Sequence, residues 1–360
     1  MPIPRAVAGA LAQPREAGTA GAAEARRVLQ DALESLGYAV EVQRFAFSPS
    51  SLNAFPIFGA GLGWLALLEV PLLALPGVSR WAALLVLVAG LAALALVVRG
   101  VAIGWTGRGE SLREDANLIA IRPGTPVSRW IVAHVDTKAQ AHSMAGRLVA
   151  VWVCLAAVAA LLAAAVLRLS SVVPNWLMAG AAGVALAGGA LAGRGRLRGA
   201  TPGARDNASG IVAALAAAEA AGTGSGLGIL LTGAEEFGLV GARILARLRP
   251  ELIRGIEVVN VDTVDERGDL SLVSHDGAGR VLAARLASFL AAVEVPLRQR
   301  RLPLGIFVDS YPLARAGASA VTVARLDWAT LRLLHTPRDT GDGLSFATAQ
   351  AVGRAVAGAN

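Results

Sequence analysis

The sequence predicts an α/β fold, a mixed and mostly parallel sheet flanked by helices, into which four membrane-spanning helices are inserted as two hairpins. Three observations predict it. Short, fully apolar runs alternate with helical stretches through the polar part of the chain, as in a sheet covered on both faces. Four apolar stretches, residues 55–75, 81–98, 148–167 and 172–192, interrupt that alternation. The composition agrees: 55% of the 360 residues are hydrophobic and 16% are charged, against roughly 25% charged in a soluble domain. With mean hydropathy at +0.57, disorder, collagen and coiled coil are excluded.

The first polar piece, residues 1–54, carries a helix at 14–36, where Ala22, Ala25, Val28, Leu29, Ala32 and Leu36 recur at helical spacing. Gly37 closes it, and residues 38–47 alternate like a strand. Residues 1–21 lack the apolar core and cleavage pattern of a signal peptide. The second piece, 100–146, offers β-rich runs at 117–122 and 130–135. The third, 194–360, alternates: helix 208–221, strand 227–232, helix 240–248, strands 256–261 and 270–273, helix 280–293, strand 318–323 and helix 345–356. The three pieces read as one domain, interrupted by hairpins at 55–99 and 147–193.

The last three apolar stretches contain no charged residue, and each is long enough to cross the hydrocarbon as a helix. Four buried helices of a soluble core are the alternative, but such helices rarely stay uncharged on every face. Both hairpins return to the side they left. On that side lie Arg99, Arg108, Lys138, Arg147, Arg194 and Arg196, among others, while the far side has Arg80 and Arg168. The positive-inside rule therefore places the polar domain in the cytoplasm and the chain in the cell membrane as a multi-pass protein. The net charge of +7 is explained in the same way, so no nucleic-acid partner is expected. Cys154, the single cysteine, excludes an intrachain disulfide. Gly59, Gly63, Gly180, Gly183 and Gly188 provide small surfaces for helix packing in lipid, or reflect an alanine- and glycine-rich composition. Glu69, two residues before Pro71, marks either an intramembrane functional group or a local break in the first span.

Acidic and histidine residues follow the apolar strands, where an α/β sheet places its active site. The run 130–135 carries His134, with Asp136 beyond it; Asp206 sits in a glycine-flanked turn; Glu235 and Glu236 follow the next run; the run 258–261 ends in Asp262; His335 lies in 333–340. Two imidazoles and several carboxylates suit a pair of divalent ions, with one carboxylate shared between them. At a strand end, neighbouring side chains diverge, so one of Glu235 and Glu236 can hold metal while the other faces water. Asp136 can accept the second N–H of the His134 ring. Singly, each residue has an ordinary reading as core histidine, turn residue or cap. His142 and His275 read as ordinary polar residues.

The segments Ala133-His134-Val135-Asp136, Asp206-Asn207-Ala208-Ser209-Gly210, Thr232-Gly233-Ala234-Glu235-Glu236-Phe237-Gly238-Leu239, Asn260-Val261-Asp262 and His335-Thr336-Pro337 resemble, in order, the signature blocks of the co-catalytic di-zinc aminopeptidases, metallopeptidase family twenty-eight. The segment Pro14-Arg15-Glu16-Ala17-Gly18-Thr19 resembles that family's N-terminal element. The resemblance implies a zinc-exopeptidase-like fold and two zinc ions, one held by His134 and Asp262, the other by Glu236 and His335, with Asp206 bridging. It implies Glu235 as general base and Asp136 as the catalytic partner of His134. Asp339 supports His335 or serves as a turn residue. In the loop 307–312, Ser310 stands where the family frequently has histidine, and Tyr311 is a candidate oxyanion stabiliser. The main departure is the hairpin between His134 and Asp206, which ties both to lipid and predicts a metal site close to the membrane surface.

The expected function is that of a membrane-anchored zinc-dependent peptidase, an aminopeptidase acting on peptides at a lipid bilayer. The alternatives are a glutaminyl-cyclase-like acyltransferase or other amide hydrolase on the same scaffold, and a non-catalytic membrane scaffold. Retention of all five ligands and the base opposes the last. The sequence leaves the oligomeric state open.

Overall fold

In a computed structural model, which describes residues 3–102, 112–265 and 268–358, the chain forms two units. One comprises Met1–Phe47, Leu112–Ala139 and Gly199–Asn360; the other comprises Ser48–Ser111 and Gln140–Arg198. Arg108 lies outside the described residues.

The first unit is built on an eight-stranded sheet: β1 (Ala39–Phe47), β2 (Arg113–Ile121), β3 (Arg129–His134), β4 (Leu227–Thr232), β5 (Glu257–Asp262), β6 (Leu270–Ser274), β7 (Leu297–Arg300) and β8 (Ser319–Arg325). The strand order is β1-β2-β4-β3-β5-β8-β6-β7. The pairs β3/β4, β3/β5, β5/β8 and β6/β7 are parallel, while β1/β2, β2/β4 and β6/β8 are antiparallel. Both faces are covered. Along β3, Ile131 and Ala133 point into a core shared with Leu29, Ile211, Leu286 and Val352 of the flanking helices. Trp130 and Val132 point the other way, toward Leu245, Ile253 and Leu313. Strands buried on both faces are apolar throughout, which is why β3 and β4 were legible as continuous runs.

The helix expected at 14–36 begins only at Ala20 and ends at Ser35. Thr19 accepts the Ala22 N–H as its N-cap, and Gly18 has a φ of 78° that breaks the preceding turn. Residues 14–18 are thereby released as a loop that carries Arg15 into the interior. A separate helix, Arg5–Leu11, precedes it. The edge strand β7 was not expected, because its sequence, Leu-Arg-Gln-Arg, has no apolar alternation. Similarly, residues expected as a loop contain the short helix Ser310–Arg315.

The second unit contains helices Ala54–Ala74, Arg80–Ala102, Met144–Ser170 and Asn175–Gly193, each long and apolar enough to span a membrane. Leu62, Leu73, Leu87, Cys154, Leu161 and Ala185 form their shared core, whereas Trp64, Trp81, Leu85 and Trp176 are exposed. Of the small residues expected at helix contacts, a Cβ on Gly59 would meet the Gly189 carbonyl at 2.7 Å and one on Gly188 would meet Cys154 Sγ at 3.2 Å. Gly180 and Gly183 face open space. The first helix runs unbroken through Pro71, with Glu69 buried on its inner face.

Candidate metal centre

The parallel strands β3, β4 and β5 end side by side, and the residues following them converge there. His134 and Asp262 are the last residues of β3 and β5. Glu235 and Glu236 occupy the turn after β4, which begins at Gly233, where a Cβ would lie 2.6 Å from Asp115 Oδ1. Ala234 and His335 adopt φ of 52° and 62°. That left-handed conformation costs a non-glycine residue roughly 1–2 kcal/mol, so the surrounding contacts must hold both in place.

Asp136 anchors the β4 turn. Its carboxylate accepts the backbone N–H of Glu235 at 3.0 Å and that of Glu236 at 3.1 Å. The expected bond from His134 goes elsewhere: Nδ1 donates to the backbone carbonyl of Asp136 at 3.0 Å, while the nearest carboxylate oxygen is 3.8 Å away. The carbonyl bond occupies Nδ1–H and leaves Nε2 to face the cluster. Asp206 is held similarly. Asp339 accepts the backbone N–H of Asp206 at 3.1 Å and that of Arg205 at 2.9 Å, so it supports Asp206 rather than His335. Asn207 donates to the Val261 carbonyl and accepts the Gly210 and Thr263 N–H groups, tying this loop to β5.

Around this frame the donors draw together. Asp206 Oδ1 is 3.0 Å from His134 Nε2, and its Oδ2 is 3.2 Å from His335 Nε2. Asp262 Oδ1 is 3.8 Å from His134 Nε2, and Glu236 Oε1 is 3.1 Å from His335 Nε2. Ligand atoms of His134, Asp206 and Asp262 lie within 4.8 Å of one another, as do those of Asp206, Glu236 and His335. Asp206 belongs to both groups. Glu235 stands among them with 7% of its surface exposed.

The cluster attracts positive charge. Burial opposes the imidazolium at His134 and His335, but Glu235, Asp206 and Asp262 around the first, and Glu236 and Asp206 around the second, raise both above the ordinary histidine range. Burial alone would raise Asp206 and Glu236; the imidazoles, joined at Glu236 by Lys138, outweigh it and bring Glu236 down to about 2 and Asp206 lower still. At Glu235 burial prevails, and its carboxyl is pushed well above the usual range. Two imidazole nitrogens and three carboxylates suit divalent cations that take nitrogen and oxygen donors.

Several participants were missed by sequence reasoning. Arg15 is fully buried, and its guanidinium donates to the carbonyls of Leu11, Gln13, Val135, Pro202 and Gly203, pinning the segments that carry His134 and Asp206. Burial lowers its pKa to about 10, so it remains charged at neutral pH. Lys138 pairs with Glu236. Asp309, buried beside the cluster, accepts a hydrogen bond from Thr232. Burial raises its carboxyl to about 6. Ser310 Oγ lies 2.7 Å from His275 Nε2 and 2.6 Å from Thr322 Oγ1, and Tyr311 packs edge-on against the same imidazole. His275, read as an ordinary polar residue, thus meets the first turn of the helix Ser310–Arg315.

Residues 190–359 match the model of "Peptidase family M28". Among curated protein sequences none matches the chain. Solved structures similar to it include the glutaminyl cyclase of Fimbriiglobus ruber, with TM-score 0.56 and 17% identity over 99% of this chain and 92% of that one. The aminopeptidase of Aneurinibacillus sp. strain AM-1 gives TM-score 0.53 and 18% identity over 98% and 91%. A zinc aminopeptidase from Bacillus subtilis gives 0.54 and 14% over 99% and 93%. Residues 190–359 are therefore similar to peptidase family M28, and the chain shares its α/β fold with these aminopeptidases and cyclases.

Proposed function

We propose that this chain is a membrane-anchored, zinc-dependent aminopeptidase. The observation that carries the reading is the pair of three-donor groups sharing Asp206. His134 and Asp262 would hold one zinc ion and Glu236 and His335 the other, with Asp206 available to both groups. When bound, such ions would supply Lewis acidity toward the scissile carbonyl and would lower the pKa of a bound water.

Glu235 is the general base. It accepts a proton from the attacking water and delivers it to the leaving nitrogen, a task suited to a carboxyl whose burial raises its proton affinity. Asp136 holds Glu235 and Glu236 by their backbone N–H groups and orients His134 through its own carbonyl. The polar pieces form one catalytic domain, and the hairpins at 55–99 and 147–193 anchor it in the cell membrane. The excess of basic residues flanking the spans supports a cytoplasmic domain. The insertion between His134 and Asp206 favours peptides that partition to the bilayer surface as substrates.

Glutaminyl cyclases match the fold as well as aminopeptidases do, so cyclisation of N-terminal glutamine is the second reading. One experiment separates them. Detergent-purified wild type and Glu235→Gln are assayed for metal content, for release of N-terminal residues from free and N-blocked peptides, and for ammonia from N-terminal glutamine. Two zinc ions with hydrolysis of unblocked peptides alone support the aminopeptidase. Ammonia release without hydrolysis transfers the assignment to the cyclase.

A further inference from the structure

The chain has 33 basic residues, and only Lys138 is a lysine. It is also buried, at 3% exposure. Its ammonium lies 2.7 Å from Glu236 Oε2 and donates to the Glu236 backbone carbonyl at 3.2 Å. Oε1 of the same carboxylate faces His335 Nε2 at 3.1 Å, within the second donor group.

We propose that Lys138 is a positioning residue that occupies one oxygen of Glu236 so that only the other serves a cation, and that its charge makes this the weaker of the two metal positions. The inference rests on the dinuclear reading above. An ammonium is a compact point charge and can satisfy a single oxygen. A guanidinium presents two parallel donors matched to both oxygens of a carboxylate and would claim them together. That difference accounts for a lysine at this position in a chain that otherwise uses arginine. The positive charge beside Glu236 also repels an incoming dication across a buried, poorly screened distance. The donor group of His134, Asp206 and Asp262 has no such ion pair to a lysine or arginine among the described residues.

The test is calorimetric titration of the metal-free, detergent-solubilised full chain with Co²⁺, followed in parallel by the cobalt d–d spectrum. Wild type should bind two ions in sequence, the second at least ~10-fold more weakly. Lys138→Met should tighten the second step by ~10-fold or more and weaken the d–d bands as Glu236 gains a second donor oxygen. Lys138→Arg should keep the first ion and lose the second. An unchanged first affinity shows that both variants are folded. Two steps indistinguishable from wild type in both variants would overturn the proposal, as would loss of both ions from both, which would make Lys138 a scaffold element. Failure of wild type to bind two ions would sink the dinuclear reading itself, and the proposal with it.

Discussion

Asp339 grips Asp206 by its backbone, accepting its N–H at 3.1 Å, and Asp206 stands between two imidazoles at 3.0 and 3.2 Å. A carboxylate that serves two positions tolerates little rotation. Removing its support by Asp339→Ala should therefore weaken divalent-ion affinity by ~10–100-fold, as loss of a group behind a ligand typically does. Asp339→Asn, which keeps one acceptor, should fall between. Competition against a chromophoric chelator measures both.

Glu235 lies in the cluster without belonging to either donor group. Glu235→Gln should accordingly reduce turnover by ~10²–10⁴-fold while leaving metal content at the wild-type level. Elemental analysis beside a peptide assay decides this; a parallel loss of metal would make Glu235 a ligand instead.

The pH dependence of metal binding follows from the two histidines, whose pKa values in the metal-free chain are raised above the usual range. Each gains stability from its carboxylate neighbours while protonated, and that stability is lost as pH rises through the raised value. Cation affinity runs the opposite way, because the proton must leave before Nε2 can bind. Affinity for Zn²⁺ should therefore climb with pH through neutrality, with protons released on binding. Calorimetry in buffers of different ionisation enthalpy counts them; binding that releases none would contradict the assignment of His134 and His335.

Gly210 opens the helix behind Asp206, and a Cβ there would lie 2.1 Å from Asn207 Oδ1 and 2.3 Å from the Val261 carbonyl. Gly210→Ala should cost ~1–3 kcal/mol as the loop is pushed off β5. Thermal unfolding in detergent should show a lowered Tm, and metal occupancy should fall with it because Asn207 and Asp206 move together.

Much of this protein is written locally. The alternation of apolar runs and helices, the four long apolar stretches and the order of His134, Asp206, Glu235, Glu236, Asp262 and His335 are all short-range patterns, read without knowing what touches what. Even so, the helix at 14–36 had to yield its first turns, because the Thr19 cap and the Gly18 turn outweighed the apolar spacing upstream. The edge strand β7 carried no pattern to read.

Tertiary structure decided the work of the supporting residues. Arg15 reaches the Val135 carbonyl across 120 positions, Lys138 reaches Glu236 across 98, and Asp339 reaches Asp206 across 133. None of these pairings has a sequence period, since each depends on strands brought together by the sheet. The same holds for Asp136, whose neighbour His134 takes its carbonyl while its carboxylate turns to the β4 turn. Sequence singled out the candidate groups. Folding determined which of their atoms face one another, because a buried polar atom must find its partner wherever packing has placed one.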